Sequence, residues 1–120
     1  MNKRQHVRVP FFGKASVLIE GLPLEVSISN LSMGGLLLHT SESFDLGCEL
    51  ATRLSGKLSG IFFEENVDGR IVAVHKGSAG NSYGIRFKEY LDQEKQPSLY
   101  SWVNNHQEKP SPSFLRNTIG

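Results

Sequence analysis

The sequence predicts a mainly-β domain closed by a single C-terminal helix. Three observations carry this expectation. Apolar residues recur with a two-residue period through most of the chain, the mark of half-buried strands. Breaks containing Gly, Asn and Ser cut these runs into short segments. The period lengthens to that of a helix only once, near the C-terminus, so strands and helices do not alternate as they do around parallel sheets. Short antiparallel strands joined by turns make a small barrel or a sandwich, with the helix covering one opening or one face.

Residues 1–9 are basic and polar and end at Pro10, which predicts an exposed, mobile arm. Phe11 and Phe12 follow and are expected to anchor the chain to the core. In 14–21, Ala15, Val17 and Ile19 share one parity and predict a strand. Gly21-Leu22-Pro23 reads as a turn. Leu24, Val26 and Ile28 then alternate with Glu25, Ser27 and Ser29 in the cleanest two-residue period of the chain. A turn is expected at Ser29-Asn30-Leu31-Ser32-Met33-Gly34-Gly35. The leucines of 35–40 predict a short strand buried on both faces. A polar loop covers 40–47, and a weakly alternating strand covers 48–58. Residues 61–67 and 69–76 predict one long interrupted strand or two short ones, with Asp68-Gly69 as a bulge or turn. A loop at 77–82 leads to the last strand, where Tyr83, Ile85 and Phe87 alternate with Gly84, Arg86 and Lys88.

Leu99, Trp102, Val103 and His106 lie at helical spacing, and Pro97 sets the helix start close to itself. Asp92, Glu94 and Lys95 fall in or before the first turn. The domain is expected to run over 10–108, with 109–120, which contain Pro110-Ser111-Pro112-Ser113, as a disordered tail.

At 120 residues the chain makes one domain with one core. A net charge of +1 gives no general attraction to nucleic acid or to an anionic membrane, so anion binding has to come from a local cluster. Cys48 is the only cysteine, which excludes an internal disulfide and fits a reducing compartment. No apolar run approaches the roughly 20 residues that span a bilayer, and no apolar segment follows the basic N-terminus as in a secretory signal. A soluble, cytoplasmic protein is expected.

The residues with chemistry to offer fall into two groups. Arg4 and Arg8 lie on one face of an extended chain, about 13 Å apart. Arginine grips phosphate through two parallel N–H bonds, stacks on bases, and pairs bidentately with the O6/N7 edge of guanine. Asn30, Ser32 and Gly35 offer an amide, a hydroxyl and a bare backbone in a turn. Taken singly, each group reads as a solvated arm or an ordinary strand connection. Together they form Arg-x-x-x-Arg, then the span of one β-hairpin, then Asn-x-Ser-x-x-Gly.

This pattern resembles the PilZ domain, a family of bacterial receptors for the second messenger cyclic di-GMP. Arg4-Gln5-His6-Val7-Arg8 stands where the family has its RxxxR arm. Asn30-Leu31-Ser32-Met33-Gly34-Gly35 matches its [D/N]xSxxG turn. Tyr83-Gly84-Ile85-Arg86-Phe87 resembles the last strand before the family's helix, and the likeness runs from Arg4 to His106. The resemblance implies a six-stranded antiparallel β-barrel with the helix packed against it, and a ligand held between arm and turn. It implies that Arg4 and Arg8 take phosphate and guanine, that Asn30 and Ser32 bond a guanine edge or a phosphate, and that Gly35 keeps the turn open. Lys3, His6 and Gly34 are additional candidate contacts. Two departures stand out. Asn30 lacks the charge of the acidic alternative but keeps an acceptor oxygen. Lys3 precedes Arg4 where the family often has a second arginine, which favours one bound ligand over a stacked pair. A side chain near Val74 or Arg86 could face the second guanine, but neither is assigned to the site.

Other clusters are weaker. His6, His39, His75 and His106 show no metal spacing with Cys48. Glu64, Glu65 and Asp68 read as surface charge without a base or nucleophile beside them. Gly77-Ser78-Ala79-Gly80-Asn81-Ser82 lacks the Lys-Ser/Thr and the helix of a phosphate loop. The leading expectation is a non-enzymatic sensor that binds cyclic di-GMP, orders its arm and signals to an unidentified downstream protein in motility, biofilm or virulence control. It would act as a monomer or weak homodimer and use no cofactor or metal. The alternative is a PilZ-fold interaction module that binds no nucleotide. A small RNA-binding barrel would need a basic groove with exposed aromatics, and an enzyme would need a nucleophile–base pair that the sequence does not offer.

Overall fold

The structure, a computed structural model, describes residues 7–19 and 21–107, with only the backbone of Ile19 and Gln107. Six strands precede one helix: β1 (Val9–Ile19), β2 (Leu22–Leu31), β3 (Gly35–Thr40), β4 (Glu49–Leu58), β5 (Ile61–Gly77), β6 (Gly80–Phe87) and α1 (Pro97–Gln107). All pairings are antiparallel, and the strands close into a barrel in the order β1-β2-β3-β6-β5-β4. The barrel, left open against the sandwich by periodicity, is therefore the form adopted.

Strand parity builds the core. Ala15, Val17, Val26, Ile28, Leu36, Leu38, Leu50, Leu54, Ile71, Tyr83 and Ile85 all point inward and are buried. Phe11 and Phe63 meet edge-on inside, with centroids 6.1 Å apart. The Tyr83 hydroxyl donates to the Glu42 carbonyl and accepts the Phe44 N–H, so the 41–48 loop satisfies this buried polar group.

Several expectations need correction. β1 starts at Val9, not at 14, so Val9 belongs to the barrel rather than to the arm. Phe12 does not anchor the core. Alternation turns it outward beside buried Phe11, and it is 84 % exposed. Leu37 is only half-buried, because the outer face of β3 is not covered. Asn30 and Leu31 lie within β2, which shortens the expected seven-residue turn. Asp68-Gly69 is not a turn. β5 runs through it, pairing with β4 along its first part and with β6 along its second. Glycine is needed at 69 for close approach, since a Cβ there would stand 2.7 Å from the Arg86 carbonyl oxygen. The register shift in β5 falls later, between Ile71 and Ala73. The expected 77–82 loop is a tight turn, since Gly77 pairs with Gly80.

Leu99 and Val103 of α1 are fully buried and seat the helix on the core, next to β1 and β5. Trp102 and His106, one turn apart, stack with ring centroids 3.7 Å apart. Lys3, Arg4, His6 and the 109–120 tail lie outside the described residues.

Candidate functional site

The Asn-x-Ser-x-x-Gly segment forms the connection from β2 to β3. Its hydrogen bonds explain its composition. The Ser32 N–H donates to the Gly35 carbonyl at 2.8 Å. The Ser32 hydroxyl donates to the same carbonyl at 3.3 Å and accepts the N–H groups of Gly34 and Gly35 at 3.3 and 3.1 Å. One donor and two acceptor positions are all that a hydroxyl has, so this one is fully used inside the turn. The outer side of the turn is held by the chain beyond β6. Phe87 N–H bonds the Gly34 carbonyl and Leu91 N–H bonds the Met33 carbonyl.

Gly35 has a packing task beside the expected one. A Cβ at this position would stand 2.2 Å from the Ile85 carbonyl oxygen. Glycine at 35 lets β3 lie against β6.

Arg8 directly precedes the Val9–Leu31 pair that ends the β1–β2 ladder, so its backbone enters the barrel beside Ser32. Val9 is buried, and Arg8 and Pro10 on either side of it are exposed. Pro10 pairs with Asn30, which puts Arg8 and Asn30 on the outward side of the same strand pair. No described residue forms an ion pair with Arg8. The Asn30 side-chain oxygen is buried and has no hydrogen-bond partner among the described residues. An orphaned buried acceptor costs about 1–3 kcal/mol, which marks Asn30 as a candidate for hydrogen bonding to a ligand.

The register extends this face across the barrel. Asn30 pairs with Leu37, Leu37 with Gly84, and Gly84 with Ala73. This row is small and apolar, a flat floor beside the Asn30 amide. On one side of it lies the row His39, Ser82, His75. The His39 ring sits between two hydroxyls, with Nε2 2.6 Å from Ser29 Oγ and Nδ1 3.0 Å from Ser82 Oγ. On the other side lies the row Gly35, Arg86, Arg70. The sequence did not assign Leu37, His39, Gly84 or Arg86 to the site. Their outward parity is readable, but which strands stand side by side is a property of the closed register. Val74 packs against the core instead.

Other surfaces offer less. A groove over β1, β4 and β5 is lined by Arg53, Glu64, Asn66 and Asp68. Its cation is already engaged, by Glu64 at 3.7 Å and by the Asn66 side chain at 3.2 Å. Among the described residues no cluster of His, Cys, Asp and Glu is arranged to hold a metal ion. No described helix is long and apolar enough to cross a membrane.

A closed antiparallel barrel with a helix on its core and an Asn-x-Ser-x-x-Gly connection between β2 and β3 defines a small, mainly-β domain. The family model for the PilZ domain matches residues 2–104, and the chain belongs to the PilZ family. Solved structures agree with the fold. The inhibitor of motility MotI/DgrA of Bacillus subtilis superposes with a TM-score of 0.74 at 16 % identity, over 92 % of this chain and 53 % of that one. The PilZ domain of Escherichia coli YcgR, solved with c-di-GMP, gives 0.64 at 15 % identity, over 90 % of this chain and 97 % of that one. PlzA of Borreliella burgdorferi, in complex with c-di-GMP, gives 0.57 at 12 % identity, over 87 % and 52 %. The chain thus spans about half the length of MotI and PlzA and nearly all of the YcgR domain. No curated protein matches it.

Proposed function

We propose that this chain is a non-enzymatic receptor for cyclic di-GMP, with the ligand lying on the outer face of the barrel between Arg8 and the β2–β3 turn. The observation that carries the reading is the pairing of two unmet needs on one face. Among the described residues Asn30 presents a buried acceptor without a donor, and Arg8, which enters beside the turn, has no carboxylate partner. Guanine N1–H and N2–H supply the donors that Asn30 lacks. Phosphate, or the guanine O6/N7 edge, supplies the paired acceptors that a guanidinium takes. The floor of Leu37, Gly84 and Ala73 gives a base a plane to lie on. The c-di-GMP complexes of YcgR and PlzA support the choice of ligand.

In this reading Arg4 is the second guanidinium of the arm, Lys3 and His6 add contacts, and Gly34 lets the ligand approach the backbone. Ser32 shapes the turn, so its contribution is to place Asn30 and the neighbouring N–H groups. The arm of residues 1–8 orders over the ligand, and a downstream protein reads the changed surface. That protein would act in motility, biofilm or virulence control, in the cytoplasm.

One observation favours a second reading, a PilZ-fold adaptor that binds no nucleotide. Ser32 and Gly35 are both explained by folding alone. Titration calorimetry with cyclic di-GMP separates the two. The receptor reading expects saturable binding to the native chain. It also expects Arg8→Ala to weaken that binding roughly tenfold to a hundredfold, the worth of charge-assisted hydrogen bonds. Absence of heat and of competition up to high micromolar ligand leaves the adaptor.

A further inference from the structure

The row Glu49, Arg70, Arg86, Gly35 crosses four neighbouring strands of the barrel's outer face. It holds one carboxylate, two guanidiniums and one position without a side chain. Arg70 and Arg86 are directly opposed on β5 and β6. Like charges placed this way repel, their Cβ atoms being about 5 Å apart. Glu49 offsets only Arg70, which it meets at 3.4 Å. Arg86 is exposed and has no ion-pair partner among the described residues. Its other neighbour across the strands is Gly35, at the end of the β2–β3 turn. The adjacent row is the Asn30–Leu37–Gly84–Ala73 floor.

From these placements we infer that Arg86 is a further ligand-binding residue of the same site, closing it from the β6 side as Arg8 does from the β1 side. Three inter-strand steps separate the two, about 14 Å, with the turn and the floor between them. Gly35, its cross-strand neighbour on β3, carries no side chain that could pair with or cover the Arg86 guanidinium. Arg86 takes a group with two acceptors in one plane, and a cyclic guanine dinucleotide offers two, a phosphate and the O6/N7 edge of a base. An anion at this point also relieves the Arg70–Arg86 repulsion.

This inference rests on the receptor reading, and the test keeps the two apart. Cyclic di-GMP is titrated into the native chain and into Arg86→Gln, Arg86→Lys, Arg8→Ala and, as a control on the opposite face, Arg53→Gln. Thermal melts confirm that each variant is folded, as expected for exposed side chains. The expected result is a loss of roughly tenfold or more for Arg86→Gln, the scale of one bidentate contact, and native affinity for Arg53→Gln. Both results for Arg86→Lys are compatible with the inference. Retained affinity marks a phosphate partner, and a loss matching Arg86→Gln marks the planar guanine edge. Native binding that Arg8→Ala abolishes and Arg86→Gln changes less than threefold overturns the role of Arg86 alone. No binding by the native chain overturns the receptor reading instead.

Discussion

Ser32 and Gly35 both have structural tasks in the β2–β3 connection. The Ser32 hydroxyl makes three contacts within its own turn. Ser32→Ala removes them all and leaves two backbone N–H groups short of an acceptor. The expected loss is about 1–2 kcal/mol of unfolding free energy in a denaturant titration. Gly35→Ala forces β3 and β6 apart, because the added carbon would overlap the Ile85 carbonyl. It should destabilise the fold by about 2 kcal/mol or more, and a loss of binding in that variant reports folding. Both residues were legible in the sequence as members of a motif. Their physical reasons were not, since a hydroxyl's partners and the gap between two strands exist only after the chain has closed. Asn30 shows the opposite case. Its type and position pointed to hydrogen bonding, and its buried oxygen has no donor among the described residues.

At the scale of elements, α1 is held at its N-terminus and at mid-length by side chains that the sequence did not single out for this. Glu65 on β5 accepts the Ser98 and Leu99 N–H groups at 2.8 and 2.9 Å. A carboxylate at a helix N-terminus meets both the unpaired donors and the positive end of the helix dipole. Further along α1, the Trp102 indole N–H donates to the Pro10 carbonyl at 3.0 Å, which ties the helix to the strand that carries Arg8. Glu65→Ala should cost about 1–2 kcal/mol and speed amide exchange at Ser98 and Leu99. Glu64→Ala, which breaks only an exposed pair with Arg53, should change stability by less than about 0.5 kcal/mol. The sequence presented Glu64 and Glu65 alike as surface charge, and only the tertiary position of α1 distinguishes them. The helix itself was legible from the spacing of Leu99 and Val103 and from Pro97. The bounds of the strands were less so. β1 begins early because Pro10 is tolerated next to a register shift, where the ladder does not need its missing N–H.

Across the whole molecule, closure of the barrel is what brings the residues of the proposed site onto one face. The face that carries Asn30, Leu37, Gly84 and Arg86 draws on β2, β3 and β6, and β6 becomes the neighbour of β3 only through a long-range pairing. Alternation along the chain could say which residues point outward, and it did so for Gly84 and Arg86. It could not say that they stand beside the β2–β3 turn. The class of fold and the order of elements were therefore accessible from sequence. The floor of the site and its β6-side cation needed the register. The central claim is that a cyclic dinucleotide occupies this face, and an amide-resolved NMR titration of the full chain with cyclic di-GMP tests it most directly. The account predicts saturable shifts at Arg8, at Asn30 to Gly35 and at Leu37, Gly84 and Arg86, with the amides of Thr52 to Ser55 on β4 unmoved. A spectrum unchanged at high ligand concentration, or shifts centred on β4 and the Arg53–Glu64 groove, would contradict it.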